Sequence, residues 1–163
     1  MVFSYYSRLT RKQQAIYRRS DAIGSVKLRR PRALRPLVRA LARALDAEQR
    51  PSVERSARAL TDAILADLGV VPVRVRVLSA RPSESWGELQ GLYEPGEGRR
   101  RACITVWMRT AKHKRVVAFK TFMRTVLHEI GHHLDYELLE LEDSFHTEGF
   151  FRRESSLMHQ LTD

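Results

Sequence analysis

The sequence predicts an α+β fold in which helices and a small three-stranded sheet pack on one buried helix, with a basic helical arm in front. Three observations predict it. Helical apolar stripes dominate the first 68 of the 163 residues. Between residues 71 and 108 the apolar period drops to two, the repeat of a strand. Residues 116–138 are then apolar on nearly every side of a helix, yet hold His128-Glu129-Ile130-Gly131-His132.

Each element has its own signature. Leu9 to about Ile23 reads as a basic helix with Thr10 as N-cap, and residues 24–35 as a linker or extended arm. Pro36 is placed in the first turn of a second helix, ahead of the stripe Leu37, Val38, Leu41, Ala44 and Leu45. Ser52 is the expected N-cap of a third, whose apolar face is Val53, Ala57, Leu60, Ile64, Leu65 and Leu68 and whose end is Gly69.

Val71, Val73, Val75 and Val77 alternate with Pro72, Arg74 and Arg76 in the first strand. Gly87–Tyr93 is the second, with Gly91 marking a bulge or a close approach. After the turn residues 94–98, Ala102, Ile104, Val106 and Met108 form a third, so the last two strands make a hairpin. A final helix carries Phe150, Phe151, Leu157, Met158 and Leu161. The expected division is a basic, partly helical arm over 1–50 and a domain over 51–163.

Composition narrows the function classes. A hydrophobic fraction of 43% supports a real core. No apolar run approaches the roughly 18 residues of a membrane helix. Residues 1–19 lack the apolar stretch of a secretory signal. Cys103 stands alone, which excludes internal disulfides and cysteine-based zinc ribbons and fits a cytoplasmic protein; on a strand it is expected as a small buried hydrophobe. The net charge of +10 is lopsided: residues 8–58 hold fifteen Lys and Arg against Asp21, Asp46, Glu48 and Glu54. That balance points to DNA or another polyanion as a partner of the amino-terminal region, or to a merely solvated Arg-rich surface. The aromatics there, Tyr5, Tyr6 and Tyr17, are too few for a base-stacking platform.

The chemistry lies in the H-E-x-x-H stretch. Residues four apart share a helix face, so His128 and His132 can grip one zinc ion at about 2.0–2.1 Å, with Glu129 placed to take a proton from water. Catalytic zinc normally has three protein ligands. His133 points about 100° away from His132 around the helix. Asp135 is a candidate acceptor for an imidazole N–H. His159, near the end, is expected in solvent. His146, in a loop or at the start of the last helix, would give a three-histidine site; Glu154, inside that helix, would give a two-histidine, one-glutamate site. Both together would close the coordination, as in a structural site.

Thr125-Val126-Leu127-His128-Glu129-Ile130-Gly131-His132, followed after thirteen residues by His146-Thr147-Glu148-Gly149-Phe150, resembles the SprT-like zinc metallopeptidases. The resemblance covers about Val53 to Leu161, and the order of helix, strands and zinc helix agrees with it. It implies a zincin-like fold, Zn2+ held by His128, His132 and His146, Glu129 as general base, and a protein or peptide substrate that is DNA-associated. Thr147 stands where the family carries glycine, and a single cysteine leaves no zinc ribbon in this sequence. Minimal gluzincins are the nearest competing family and would move the third ligand to Glu154. The third strand, through Ile104 and Val106, is expected beside the site, binding substrate by strand addition. The alternative is a non-catalytic, zinc-stabilised DNA- or protein-binding module.

Overall fold

The switch of period near residue 70 becomes a switch of layer. Helices α1 (Arg11–Asp21), α2 (Pro31–Asp46) and α3 (Arg50–Leu68) come first, after a 3-10 turn over Ser4–Arg8. Strands β1 (Arg74–Ala80), β2 (Ser83–Glu84), β3 (Gly87–Glu88), β4 (Gly91–Glu94) and β5 (Cys103–Arg109) follow, then helices α4 (Phe119–Glu137) and α5 (Glu148–Thr162). This computed structural model describes residues 2–80, 83, 84, 87, 88 and 91–163; Trp86 and part of the expected second strand lie outside the described residues. Among the described residues the fold is thus α+β, with five α-helices and a three-stranded mixed sheet.

That sheet has the order β1-β5-β4. β5 runs parallel to β1, with Val75 opposite Ile104 and Val77 opposite Val106. It runs antiparallel to β4, with Gly91 opposite Val106 and Tyr93 opposite Ile104, so the expected hairpin is present. β5 is therefore central, and the expectation that it borders a bound substrate is corrected: both its edges are paired, and Ile104 and Val106 are fully buried. Alternation tells which face a side chain takes, not which strand lies at the edge. β4 is the edge strand packed along α4. The opposite edge, at β1, is covered by side chains of α3. Val77 donates its N–H to Glu54 Oε2 (3.0 Å), while the Val77 and Val75 carbonyls accept from Arg50 (2.9 Å) and Arg58 (3.3 Å). Such covering keeps a strand from pairing with another chain.

The helix starts show where local rules were outweighed. Thr10 caps α1 in a reciprocal box with Gln13, as expected. α2 begins at Pro31 rather than at Pro36, because buried Leu34 extends the stripe by a turn. Pro36 then sits inside the helix and denies the Arg32 carbonyl its usual N–H. α3 starts at Arg50 with Pro51 in its first turn, ahead of Ser52. It ends at Gly69, whose φ of 68° is the left-handed turn that glycine takes freely.

The apolar stripe of α2 is part of the main core. Leu34, Val38, Leu41, Ala44 and Leu45 join the cluster formed by Val53, Leu60 and Ile64 of α3, by β1 and β5, and by Phe122, Val126 and Ile130 of α4. An apolar stripe of that length needs a partner, and α3 and α5 supply it. Cys103 is buried on β5 as expected, and Trp107 packs in the interior. No helix among the described residues is long and apolar enough to cross a membrane.

Candidate metal centre

His128 and His132 stand four positions apart on α4, and both rings emerge on the side facing the loop before α5. That loop brings in His146. Its Nε2 lies 3.1 Å from Nε2 of His128 and 3.0 Å from Nε2 of His132. Three nitrogens at about 2.05 Å from a tetrahedral zinc would stand about 3.3 Å apart. His128, His132 and His146 are thus a group that can hold a metal ion.

The back of each ring on α4 is tied down. His128 Nδ1 lies 2.8 Å from Glu154 Oε1, and a carboxylate can only accept, so Nδ1 donates and, in the neutral ring, Nε2 presents a lone pair. Arg124 holds the other oxygen of Glu154 at 3.2 Å. His132 Nδ1 lies 2.7 Å from Ser144 Oγ, and that hydroxyl donates to Asp135 Oδ2, also at 2.7 Å. Ser144 has one proton, already spent on the carboxylate, so His132 must donate from Nδ1 and its Nε2 is bare as well. At most one ring N–H, from His146, can enter the cluster. Two such lone pairs converging on His146 Nε2 suit a bound metal ion.

Burial pushes the His132 imidazole down to about 3, with the neighbouring imidazoles of His128 and His146 adding to the shift. Burial and then His128 lower His146, against a smaller opposing pull from Glu154. Neutral rings are what a metal requires. Glu129, 5% exposed, is pushed up to about 7 by burial, with His128 pulling it back and Glu154 adding to the rise. Its side chain packs against β4: a methyl group added at Gly91 would stand 3.1 Å from Glu129 Cγ and 2.8 Å from Thr125 Cγ2. The close approach expected at Gly91 is therefore the contact between β4 and α4.

Two more glycines let the site assemble. A Cβ at Gly131 would stand 3.0 Å from the Phe150 ring, and that ring packs 5.0 Å and 4.8 Å from the centres of His128 and His132. A Cβ at Gly149 would lie 2.6 Å from the carbonyl oxygens of Ser20 and Asp21, so α5 can begin against the end of α1 only with glycine there. Thr147 caps α5 by accepting the Phe150 N–H, and its hydroxyl meets Ser20 Oγ at 3.1 Å.

The amino-terminal segment braces this loop. Tyr5 donates its hydroxyl to the His146 carbonyl (2.7 Å). Buried Arg153 bonds the Ser20 and Ile23 carbonyls and pairs with Asp135 at 3.0 Å. Burial pushes the Asp135 carboxyl up, while the Ser144 hydroxyl and the Arg153 guanidinium pull it back.

The remaining candidates fall elsewhere. His133 turns from the centre as expected, toward the Val71 carbonyl (2.9 Å) and the Tyr93 hydroxyl (2.8 Å). His159 is exposed beside Asp163. Asp135 serves His132, but through Ser144 rather than directly. Glu154 is not in the three-residue group; it orients His128. The sequence assigns Ser144, Arg153 and Tyr5 no part in the site, because nothing in their local pattern points to it.

A cavity of about 840 Å³ opens in front of the centre, between β4 (Gly91, Leu92, Tyr93) and the helices α4 and α5. A side chain of Glu129 and the three imidazoles all line or face it. Against known proteins, no family model, no curated sequence and no solved structure matches this chain.

Proposed function

We propose that this protein is a zinc-dependent peptidase of the zincin type, related to the SprT-like metallopeptidases. One observation carries the reading. His146 Nε2 lies 3.0–3.1 Å from Nε2 of both His128 and His132, with all three ligand atoms within 4.8 Å of one another, at the edge of a cavity that a buried glutamate also lines. A closed structural site would need a fourth protein ligand, and Glu154, the nearest contender, is occupied by His128 and Arg124. That favours a catalytic centre over a zinc-stabilised binding module.

His128, His132 and His146 would hold the ion as neutral rings. Zinc bound there would supply Lewis acidity and lower the pKa of its water to about 7. Glu129 takes the proton of the attacking water and delivers it to the leaving amine. β4 offers its free backbone edge to an extended peptide beside the centre, the role first expected of β5.

The basic surface supports a DNA-associated substrate. Arg99, Arg100 and Arg101 are exposed at the tip of the β4–β5 hairpin, whose first strand borders the cavity. Several amino-terminal arginines have structural duties instead: Arg50 and Arg58 on β1, Arg19 on Glu142. The test is twofold. Purified protein should hold one zinc per chain and cleave an unfolded protein, and Glu129→Gln should keep zinc but lose cleavage. Protein without stoichiometric metal, or cleavage untouched in that variant, would refute the reading. DNA affinity should fall steeply with salt if phosphates are contacted.

A further inference from the structure

One wall of the cavity carries two cations beside the metal-centre residues. Lys120, Arg124 and His128 follow one another at i, i+4 and i+8 on α4, so they form a single row, and all three line the cavity. At 1.5 Å per residue, Arg124 and Lys120 stand about 6 and 12 Å along the helix from His128. Both are exposed. Among the described residues, Lys120 has no acidic partner. Arg124 spends Nη1 on Glu154, and its side chain is still 50% exposed, which leaves N–H groups of the guanidinium facing the cavity.

Lys120 is not there for the sake of the helix. Lys120 lies in the first turn of α4, where the macrodipole disfavours positive charge, and no acidic residue in that turn offsets it. The carboxylates on the same cavity, Glu129 and Glu154, lie at the centre and behind it rather than beside Lys120. The surroundings of Phe151 and Met158 on the facing helix are apolar, which strengthens a charge-assisted hydrogen bond made there.

We infer that Lys120 and Arg124 form a carboxylate-binding subsite, which selects peptides carrying a negative charge to one side of the metal centre. An extended chain advances about 3.3 Å per residue, so the charge falls about two to four residues from the position at the metal. The shared chemistry is a carboxylate, from an Asp or Glu side chain or from the end of a peptide. This inference rests on the peptidase reading for its use, so its test is binding rather than turnover.

Zinc-loaded Glu129→Gln protein is titrated with acetylated, amidated peptides in which one Asp or Glu is moved along an otherwise neutral sequence, against Asn or Gln counterparts. One position should bind about 2- to 5-fold more tightly than its amide counterpart, the range for an exposed ion pair. Lys120→Ala should shrink that gain and Lys120→Glu should abolish it, while zinc content stays unchanged. A second series with free carboxyl ends identifies the source: a gain confined to that series makes the chain terminus the ligand. Equal binding of acid and amide peptides, no binding of any acidic peptide, or a gain that survives in Lys120→Glu overturns the inference; in the last case the carboxylate sits on the metal. If the wild-type protein cleaves nothing but the Lys120-dependent preference holds, the peptidase reading falls and the subsite stands.

Discussion

Glu154, on α5, accepts the Nδ1 proton of His128, on α4, across 2.8 Å, so one helix orients a candidate metal ligand carried by another. A residue that orients a ligand and a residue that is a ligand differ in what their loss does. Removing a partner behind a metal-bound histidine typically weakens metal affinity about 10- to 100-fold. Glu154→Ala should therefore bind zinc in that weakened range, while His146→Ala should lose stoichiometric zinc. Competition with a chromophoric chelator measures both. Equal losses would return Glu154 to the ligand set.

Ser144 and Asp135 separate orientation from stability. Ser144→Ala breaks the link between His132 and Asp135 and should weaken zinc binding by about 10-fold, with a stability loss of about 1 kcal/mol. Asp135→Ala leaves Arg153, itself 4% exposed, as a buried unpaired cation and should lower stability by about 3–5 kcal/mol. Urea unfolding of the two variants alongside their zinc titrations checks the split. A Ser144→Ala protein with wild-type affinity would remove the relay from the site.

Gly149 tests whether α1 is structural support for the centre. An added Cβ meets two backbone carbonyls at 2.6 Å, and neither can swing away as a side chain would. Gly149→Ala should destabilise by about 3 kcal/mol or more. Gly24→Ala, whose added Cβ meets only an Arg152 methylene at 3.7 Å, should stay within about 0.5 kcal/mol. Thermal melts that rank the two equally would contradict the close seating of α5 on α1.

In metal-free protein, burial pushes the Glu129 carboxyl from 4.5 up to about 7. A folded value above the unfolded one means that the native state binds the proton more tightly between those two pH values. The stabilisation is full below about pH 4.5 and is lost as pH rises through about 7. Glu129→Gln cannot lose that proton. The melting difference between the metal-free variant and the metal-free wild type should therefore move in the variant's favour from about pH 5 to pH 8. Taking the difference cancels the opposite trend of His132, which acts in both proteins. A difference that is flat with pH would place Glu129 in a solvated environment.

The sequence by itself determined what local spacing can determine. H-E-x-x-H on a helix puts two imidazoles one turn apart whatever surrounds them, and apolar periods of 3.6 and 2 marked out the helices and the β4–β5 hairpin. Thr10 and Gly69 announced helix ends because capping is a contact between near neighbours. Only the tertiary structure decided the rest. That His146 and not Glu154 meets the two rings depends on how α5 seats against α1, through Gly149 and Arg153, more than 100 residues away in the chain. That β4 rather than β5 borders the cavity depends on strand order, which a pattern of faces does not encode. That the stripe of α2 enters the main core follows from its mutual burial with α3, since an apolar stripe states a need for a partner without naming it.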